Sequence, residues 1–437
     1  MAKETKTIVL LLILGIVAYL IAYLFNAFIS QHLSPADYGD FSIAIRTISV
    51  ISLVLLLGTN ISSVKYLSTY FNSENRDHII QFIKWNLGIV SKTSIICIVI
   101  FILFYLLLAI LHIYNIKDFT THHFSIYVLW LAPFSAFYLL LASFILSDKK
   151  SILSFIITKI ALNILLSLLL YITIYYIDVS VHFILILILL FIAFCVIIIG
   201  ELYLVSKILT NNNISLKLKP DKSFKQPIKK TWMLESLKVT SGQIVFSLIS
   251  VADLFIIEWI HPSEHATGYY AAMLVIVNIL WVVPSSITSF LAPRLNPMFE
   301  HKRYKKLQNL INSINSINLP VLVILTLLII IFSDYLLSFF GKDYIQAQTP
   351  LVILCIAYFL LAISLSNARI LMFLESKKLM RINSTELIIL VTTSIVLTYY
   401  FGILGMSFSV LITNIYKATM LFKSVKKILP IKPFTII

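Results

Sequence analysis

Charge is scarce in this chain. Of its 437 residues only 12% are Asp, Glu, Lys or Arg, and 60% are apolar. A soluble domain carries roughly a quarter charged residues, so a soluble enzyme is excluded. Cysteine is scarce as well. Cys97, Cys195 and Cys355 each fall inside an apolar run, with neither disulfide nor metal-ligand spacing, and read as small buried hydrophobes. No metal or other cofactor is expected. Long polar connections are also missing: no segment read as external exceeds about 15 residues, which leaves no room for a folded extracytoplasmic domain. A secretory cleavage site is absent too. Lys3 and Lys6 precede an apolar run to about Ile29 with no small-residue pattern after it, so that run reads as an uncleaved first span.

What the chain does have is apolar runs, and a membrane-crossing helix needs about 20 such residues. Twelve are discernible, at 7–30, 40–62, 85–111, 124–146, 151–177, 181–206, 232–260, 268–293, 310–333, 349–373, 382–401 and 402–424. The last two are separated only by Phe401-Gly402 and its neighbours. The expected fold class is therefore an all-α polytopic membrane protein with about twelve transmembrane helices.

Charge placement sets the topology. With the N-terminus inside, cytoplasmic segments hold 27 of the 34 Lys and Arg, while the external loops hold only Lys117 and Lys342. The acidic residues divide evenly, as expected when Lys and Arg alone follow the positive-inside rule. Both termini are thus expected in the cytoplasm. The net charge of +15 follows from this distribution and needs no nucleic-acid partner.

The longest polar stretch, 207–231, carries seven lysines and lies midway, on the cytoplasmic side. It divides the chain into an N-terminal six-helix lobe at 1–206 and a C-terminal six-helix lobe at 232–437. Shifting the second half by 229 residues lays Tyr38–Tyr66 over Thr267–Leu295 without gaps, with Gly39 on Gly268, Thr59 on Thr288 and Lys65 on Arg294. Both halves start and end inside, so the repeat is parallel. Two such lobes around a midplane cavity are an arrangement of secondary transporters.

Ionisable groups inside a membrane are costly and usually face a cavity or a partner. Here they are Arg46, Lys92, Lys159, Lys238 and Arg369, with Glu201, Glu235, Asp253, Glu258 and Glu386. At 1.5 Å per residue, Lys92, Lys159 and Lys238 lie roughly 7–12 Å from the cytoplasmic ends of their helices, within snorkelling reach. Two readings therefore fit. Lys65, Lys92, Lys159, Lys238, Arg294 and Arg369, in or beside the cytoplasmic half, either converge on a cavity suited to a phosphate or diphosphate, or are ordinary positive-inside residues.

The seventh run shows a polar stripe, Ser236, Thr240, Gln243, Ser247 and Ser250 leading to Asp253, on one helical face. It fits a water-accessible cavity wall, and small polar residues also fit close helix packing. Glu235 and Lys238 are spaced to pair. Tyr19, Tyr23, Asn26 and Ser30 form a fainter equivalent in the first run. Pro284 bends the eighth run, with hydroxyls after it to re-satisfy freed carbonyls.

The motifs Leu33-Ser-Pro-Ala-Asp-Tyr-Gly39, Thr267-Gly-Tyr-Tyr-Ala-Ala272, Ala292-Pro-Arg294 and Phe340-Gly-Lys-Asp-Tyr344 occur in that order. In them the chain resembles the oligosaccharide flippases of the Wzx type, the polysaccharide-transporter branch of the MOP (MATE-like) exporter superfamily. The resemblance implies two six-helix lobes and alternating access in a bacterial inner membrane. It further implies export of an undecaprenyl-diphosphate-linked oligosaccharide for O-antigen or capsule synthesis, beside a glycan polymerase and glycosyltransferases, by a monomer. Arg46, Lys65, Lys92, Lys159, Lys238, Arg294 and Arg369 would then hold the diphosphate. Asp253, Glu235 or Glu258 would couple transport to an ion. Asn26, Gln243, Ser247, Ser250 and Pro284 would line the cavity. Related multidrug exporters often carry an acidic ion site in the first span, where Asn26 is the nearest polar group here. A multidrug or metabolite exporter is the competing reading, and a polytopic glycosyltransferase using Asp37 and Asp40 a further one.

Overall fold

The computed structural model describes residues 2–72, 76–113, 128–148, 150–177, 181–212, 214, 226–261, 263, 265–282, 284–285 and 304–428. These residues are nearly all helical, with no strand among them. The chain is a multi-pass membrane protein: among the described residues eleven helical segments are long and apolar enough to cross a bilayer. The eleventh, Ser376–Ile428, is two arms joined at Gly402, where φ is 57° and ψ −138°. It therefore accounts for the two expected runs 382–401 and 402–424. Leu103, Leu168, Ile199, Ile331 and Ile388 are among many exposed aliphatic side chains, as expected of helices solvated by lipid. Exposed Tyr176, Trp259, Tyr335, Tyr399 and Tyr400 sit at helix ends read as external, where aromatic side chains settle at the membrane–water interface.

Two compact units divide the chain. One is Asp40–Ser247; the other is Met1–Gly39 with Leu248–Ile437. They differ from the expected lobes 1–206 and 232–437 in two pieces. The first run groups with the second half, and the start of the seventh run groups with the first. Of the 207–231 stretch, residues 213 and 215–225 lie outside the described residues.

The Asp40–Ser247 unit contains most of α2 (Pro35–Leu56), α3 (Thr59–Asn72), α4 (Arg76–Ile113), α5 (Ala132–Ser147), α6 (Ser151–Ile156), α7 (Leu162–Tyr175), α8 (Phe183–Asn211) and the start of α9 (Gln226–Ile260). The continuous run expected over 40–62 is in fact broken. Leu57 and Gly58 both have positive φ, 46° and 73°, and the chain turns there from α2 into α3. Uniform apolarity hid the break, because hydropathy carries no information about φ. The run expected over 151–177 is interrupted too, by a π-helical turn at Ile157–Ala161 between α6 and α7. Such a turn leaves a carbonyl without its usual partner, and the Tyr138 hydroxyl from α5 donates to Ile157 O at 3.0 Å. The core of this unit joins α5 to α8 through Trp130, Phe134 and Phe191, and through buried Leu140, Ile186, Leu190 and Phe194.

The second unit contains α1 (Ala2–Ser30), the rest of α9, α10 (His265–Val277), α11 (Tyr304–Ile331), α12 (Ser333–Ser338), α13 (Gln348–Leu374) and α14 (Ser376–Ile428). Hydroxyls on α1 fasten it here. Tyr19 donates to Ile276 O at 3.0 Å, Tyr23 to Leu336 O at 2.9 Å and Ser30 to Phe340 O at 3.0 Å. At the other end Leu307, Ile311, Ile314, Ile370, Leu371, Ile382, Leu421 and Val425 form one buried cluster that joins α11, α13 and both arms of α14. Along the first arm, Ile382, Glu386, Leu390, Ser394 and Thr398 are buried at strict four-residue spacing. On the second arm Gly405, Ser409, Thr413, Lys417, Leu421 and Val425 are buried at the same spacing.

Candidate functional site

The site begins with the register between α3 and α9. Three contacts set it. Gly58 lies against the Ser236 carbonyl and the Thr240 hydroxyl, leaving no room for a Cβ. Ser236 donates to the Ser62 hydroxyl at 2.8 Å. Trp232 is fully buried among Tyr66, Tyr70, Phe82 and Trp85, and its indole N–H donates to the Tyr70 oxygen at 3.1 Å. The cytoplasmic end of the expected stripe on α9 is therefore helix packing, not a cavity wall: Ser236 and Thr240 are buried against the turn between α2 and α3.

With Ser62 opposite Ser236, Lys65 arrives at Glu235. Its Nζ is 3.0 Å from Glu235 Oε2, while Lys238 Nζ is 3.2 Å from Oε1. The expected pair of Glu235 with Lys238 is present, and Lys65, 170 positions away, completes it. One carboxylate thus holds two ammonium groups, one on each oxygen, and the trio has a net positive charge. Both lysine side chains are well exposed, 64% for Lys65 and 73% for Lys238, against 35% for Glu235. The Glu235 carboxylate holds the Lys65 ammonium above the ordinary lysine range. Lys65 also lies 5.4 Å from the Tyr66 ring.

The other expected site residues are placed separately. Arg46 is half-buried on α2. Lys92 is exposed on α4, on the same stripe as exposed Ile95, Ile96, Val99 and Leu103, which is a snorkelling position. Lys159 is exposed in the π-helical turn. Lys92 and Lys159 make neither an ion pair nor a hydrogen bond among the described residues. Arg369 on α13 is half-buried, with Nη1 4.0 Å from Met372 Sδ. Arg294 lies outside the described residues. Of the acids besides Glu235, Asp253 is buried and accepts the Leu254 N–H at 2.9 Å, and Glu258 accepts the Thr267 hydroxyl at 2.6 Å. Among the expected cavity residues, Ser247 and Pro284 are buried, Gln243 is half-buried and Ser250 is exposed. Asn26 accepts the Tyr38 hydroxyl at 3.0 Å.

Three of the four sequence motifs meet in one place in the second unit. Tyr38 lies 6.1 Å from Phe340 and 6.2 Å from Tyr344, and Tyr269 lies 5.2 Å from Tyr344. Gly39 and Gly268, equivalent under the 229-residue offset, touch: a Cβ on Gly39 would meet Gly268 N at 2.8 Å, and one on Gly268 would collide with the Pro35 carbonyl. These motifs are packing devices that seat the start of α2 on the start of α10. The fourth, 292–294, lies outside the described residues.

Two buried acids carry more than their sequence positions suggested. Glu386 is 2% exposed; its Oε1 accepts a hydrogen bond from the Lys417 ammonium at 3.0 Å, and its Oε2 lies 2.9 Å from the same nitrogen as an ion-pair contact without a hydrogen bond. Lys417, expected as part of the cytoplasmic C-terminal charge, is instead only 6% exposed inside the hairpin. No local spacing signals the pair, because its members lie 31 residues apart on opposite arms of the hairpin. Glu201 on α8 is 1% exposed, and neither of its carboxylate oxygens has a hydrogen-bond partner among the described residues. Among those residues no group of His, Cys, Asp or Glu is arranged to hold a metal ion.

The polysaccharide biosynthesis protein family matches residues 5–299. No protein of curated function matches the sequence. An inward-facing multidrug resistance MATE family transporter of the MOP superfamily is similar with a TM-score of 0.72 at 11% identity, over 94% of each chain. The MATE multidrug transporter DinF-BH gives 0.68 at 17% identity, over 97% of this chain and 95% of its own. The bent form of the Vibrio cholerae MATE transporter VcmN gives 0.60 at 16%, over 98% and 96%. At these identities the likeness is one of fold, while the match to 5–299 covers more than half the chain. Helices and match agree: the chain belongs to the polysaccharide biosynthesis protein family and has the fold of the MATE transporters of the MOP superfamily.

Proposed function

We propose that this protein is a lipid-linked oligosaccharide flippase and not an enzyme. It moves an undecaprenyl-diphosphate-linked oligosaccharide from the cytoplasmic to the external leaflet of a bacterial inner membrane, by alternating access, during O-antigen or capsule synthesis. A glycan polymerase and glycosyltransferases act before and after it. The observation that carries the reading is the trio of Lys65, Glu235 and Lys238. Two ammonium groups within 3.2 Å of one carboxylate present a compact, exposed cationic pair. Lysine is a strongly hydrated point charge on a flexible stem, suited to holding a phosphate group without fixing its orientation. Family membership supplies the polysaccharide context.

Lys65→Ala with Lys238→Ala tests it. Both side chains are exposed, so the double variant is expected to reach the membrane at normal level. Surface glycan is expected to be lost, with its lipid-linked precursor accumulating. Normal surface glycan in the double variant overturns the reading. The fold also houses multidrug exporters, so susceptibility to cationic drugs is measured in the same strains. A change in drug susceptibility with intact glycan favours export of small molecules.

A further inference from the structure

The same trio has a property beyond head-group capture, and it rests on the flippase reading. Glu235 sits where an anionic ligand of the two lysines would sit. Both its oxygens are engaged, at 3.0 Å by Lys65 and 3.2 Å by Lys238. Any anion that takes the lysines must first displace it, or add to the site against its charge. We propose that Glu235 is an intramolecular competitor that keeps monoanionic phospholipids off the site, so that it admits only a head group carrying more than one phosphate charge.

The physical reasoning concerns differences in charge. A phosphodiester lipid brings one negative charge, as the carboxylate does. Exchanging one for the other gains little and orders a lipid. A diphosphate brings at least two charges and more acceptor oxygens. It can bridge both ammonium groups with charge-assisted hydrogen bonds and still outweigh the carboxylate. Lys65 lies beyond the apolar run that precedes it and Lys238 within snorkelling reach of the cytoplasmic end of its helix, so water reaches the ion pairs, which are then weak and screened. The barrier set by Glu235 is therefore low for a diphosphate and sufficient against a monoanion. Specificity here comes from a repulsive element built into the site. The setting requires one: the chain crosses a membrane that holds anionic phospholipid in large excess over any lipid-linked intermediate, and Lys65 and Lys238 are exposed to whatever reaches them.

The test uses full-length protein in neutral detergent without divalent cations. Inorganic pyrophosphate and dioctanoyl phosphatidylglycerol are the probes, and their Kd values are measured by titration calorimetry. Wild-type protein is expected to prefer pyrophosphate by about tenfold or more. Glu235→Gln keeps the shape and removes the charge. It is expected to tighten both ligands, the phosphatidylglycerol more, so that the preference falls to about threefold or less. Glu235→Asp, which withdraws the carboxylate by one methylene, is expected to fall between. An unchanged preference in Glu235→Gln, or weaker pyrophosphate binding by it, overturns the proposal. Equal pyrophosphate binding by wild type and the Lys65→Ala/Lys238→Ala protein overturns the flippase assignment of this site instead.

Discussion

Among the described residues each compact unit buries one glutamate inside its helices, and the two are treated in opposite ways. In the unit that ends with α14, Glu386 meets Lys417 across a hairpin, and the ammonium straddles both carboxylate oxygens. In the Asp40–Ser247 unit, Glu201 is as deeply buried, yet neither of its oxygens has a hydrogen-bond partner among the described residues. An ionisable group taken out of water costs several kcal/mol unless something answers it. The first unit to be considered has met that cost with a matched charge. The second carries it. Stability and function are therefore expected to separate differently in the two: the Glu386 pair reads as architecture, and Glu201 as a group retained at the expense of stability.

The largest expected effect tests the paired side. Lys417→Met leaves Glu386 buried without its partner and is expected to cost about 3–5 kcal/mol. The measurement is thermal denaturation in detergent, read as a fall in Tm. Adding Glu386→Met to Lys417→Met should restore most of the loss, because well-packed apolar residues replace a buried ion pair at little net cost. If the double variant is no more stable than the single, the pair is not what holds the hairpin, and the contrast with Glu201 loses its basis.

The next effect has the opposite sign. Glu201→Met removes two buried oxygens that have no hydrogen-bond partner among the described residues and fills the space with apolar atoms. It is expected to stabilise by about 1–3 kcal/mol. A fall in Tm as large as that of Lys417→Met would break the comparison. A rise in Tm together with loss of surface glycan would sharpen it, since the carboxylate would then be kept for transport.

Much of this was readable in the sequence, and the failures have a common cause. The membrane class, the hairpin at Gly402 and the Glu235–Lys238 pair all depend on local spacing, which a single sequence displays. The 229-residue offset placed Gly39 on Gly268, and those two residues touch. What stayed hidden depends on which face meets which. Periodicity put Ser236 and Thr240 on one side of α9 but could not say that the turn at Gly58 covers them. Lys417 looked like one more cation at the cytoplasmic end of a run, because its partner is 31 residues away on the other arm. Lys65 and Glu235 are brought together only by the seating of Trp232 and Ser236. The motifs at 33–39, 267–272 and 340–344 carried a family resemblance, and their work as an aromatic packing cluster needed three dimensions.

The smallest expected change in stability comes from the exposed trio, and it completes the comparison. Glu386 and Lys417 are both less than a tenth exposed, whereas Lys65 and Lys238 are mostly exposed. Exposed ion pairs are worth about 0.2–1 kcal/mol, and salt screens them. Lys65→Ala should therefore move Tm by no more than about 1–4 °C for a chain of this size, and less at high salt. The pH response follows the same sign. Glu235 raises the Lys65 pKa in the folded protein, so what the pair contributes is fully present below the unfolded lysine value of about 10.4 and is lost as pH rises through the folded value. Between pH 6 and 9, roughly, this contribution should stay constant. Lys65→Ala with nearly unchanged Tm and lost surface glycan would separate a cation kept for ligand from one kept for the fold. A loss of stability matching that of Lys417→Met would put Lys65 among the structural charges, and the exposed trio would no longer differ in kind from the buried pair.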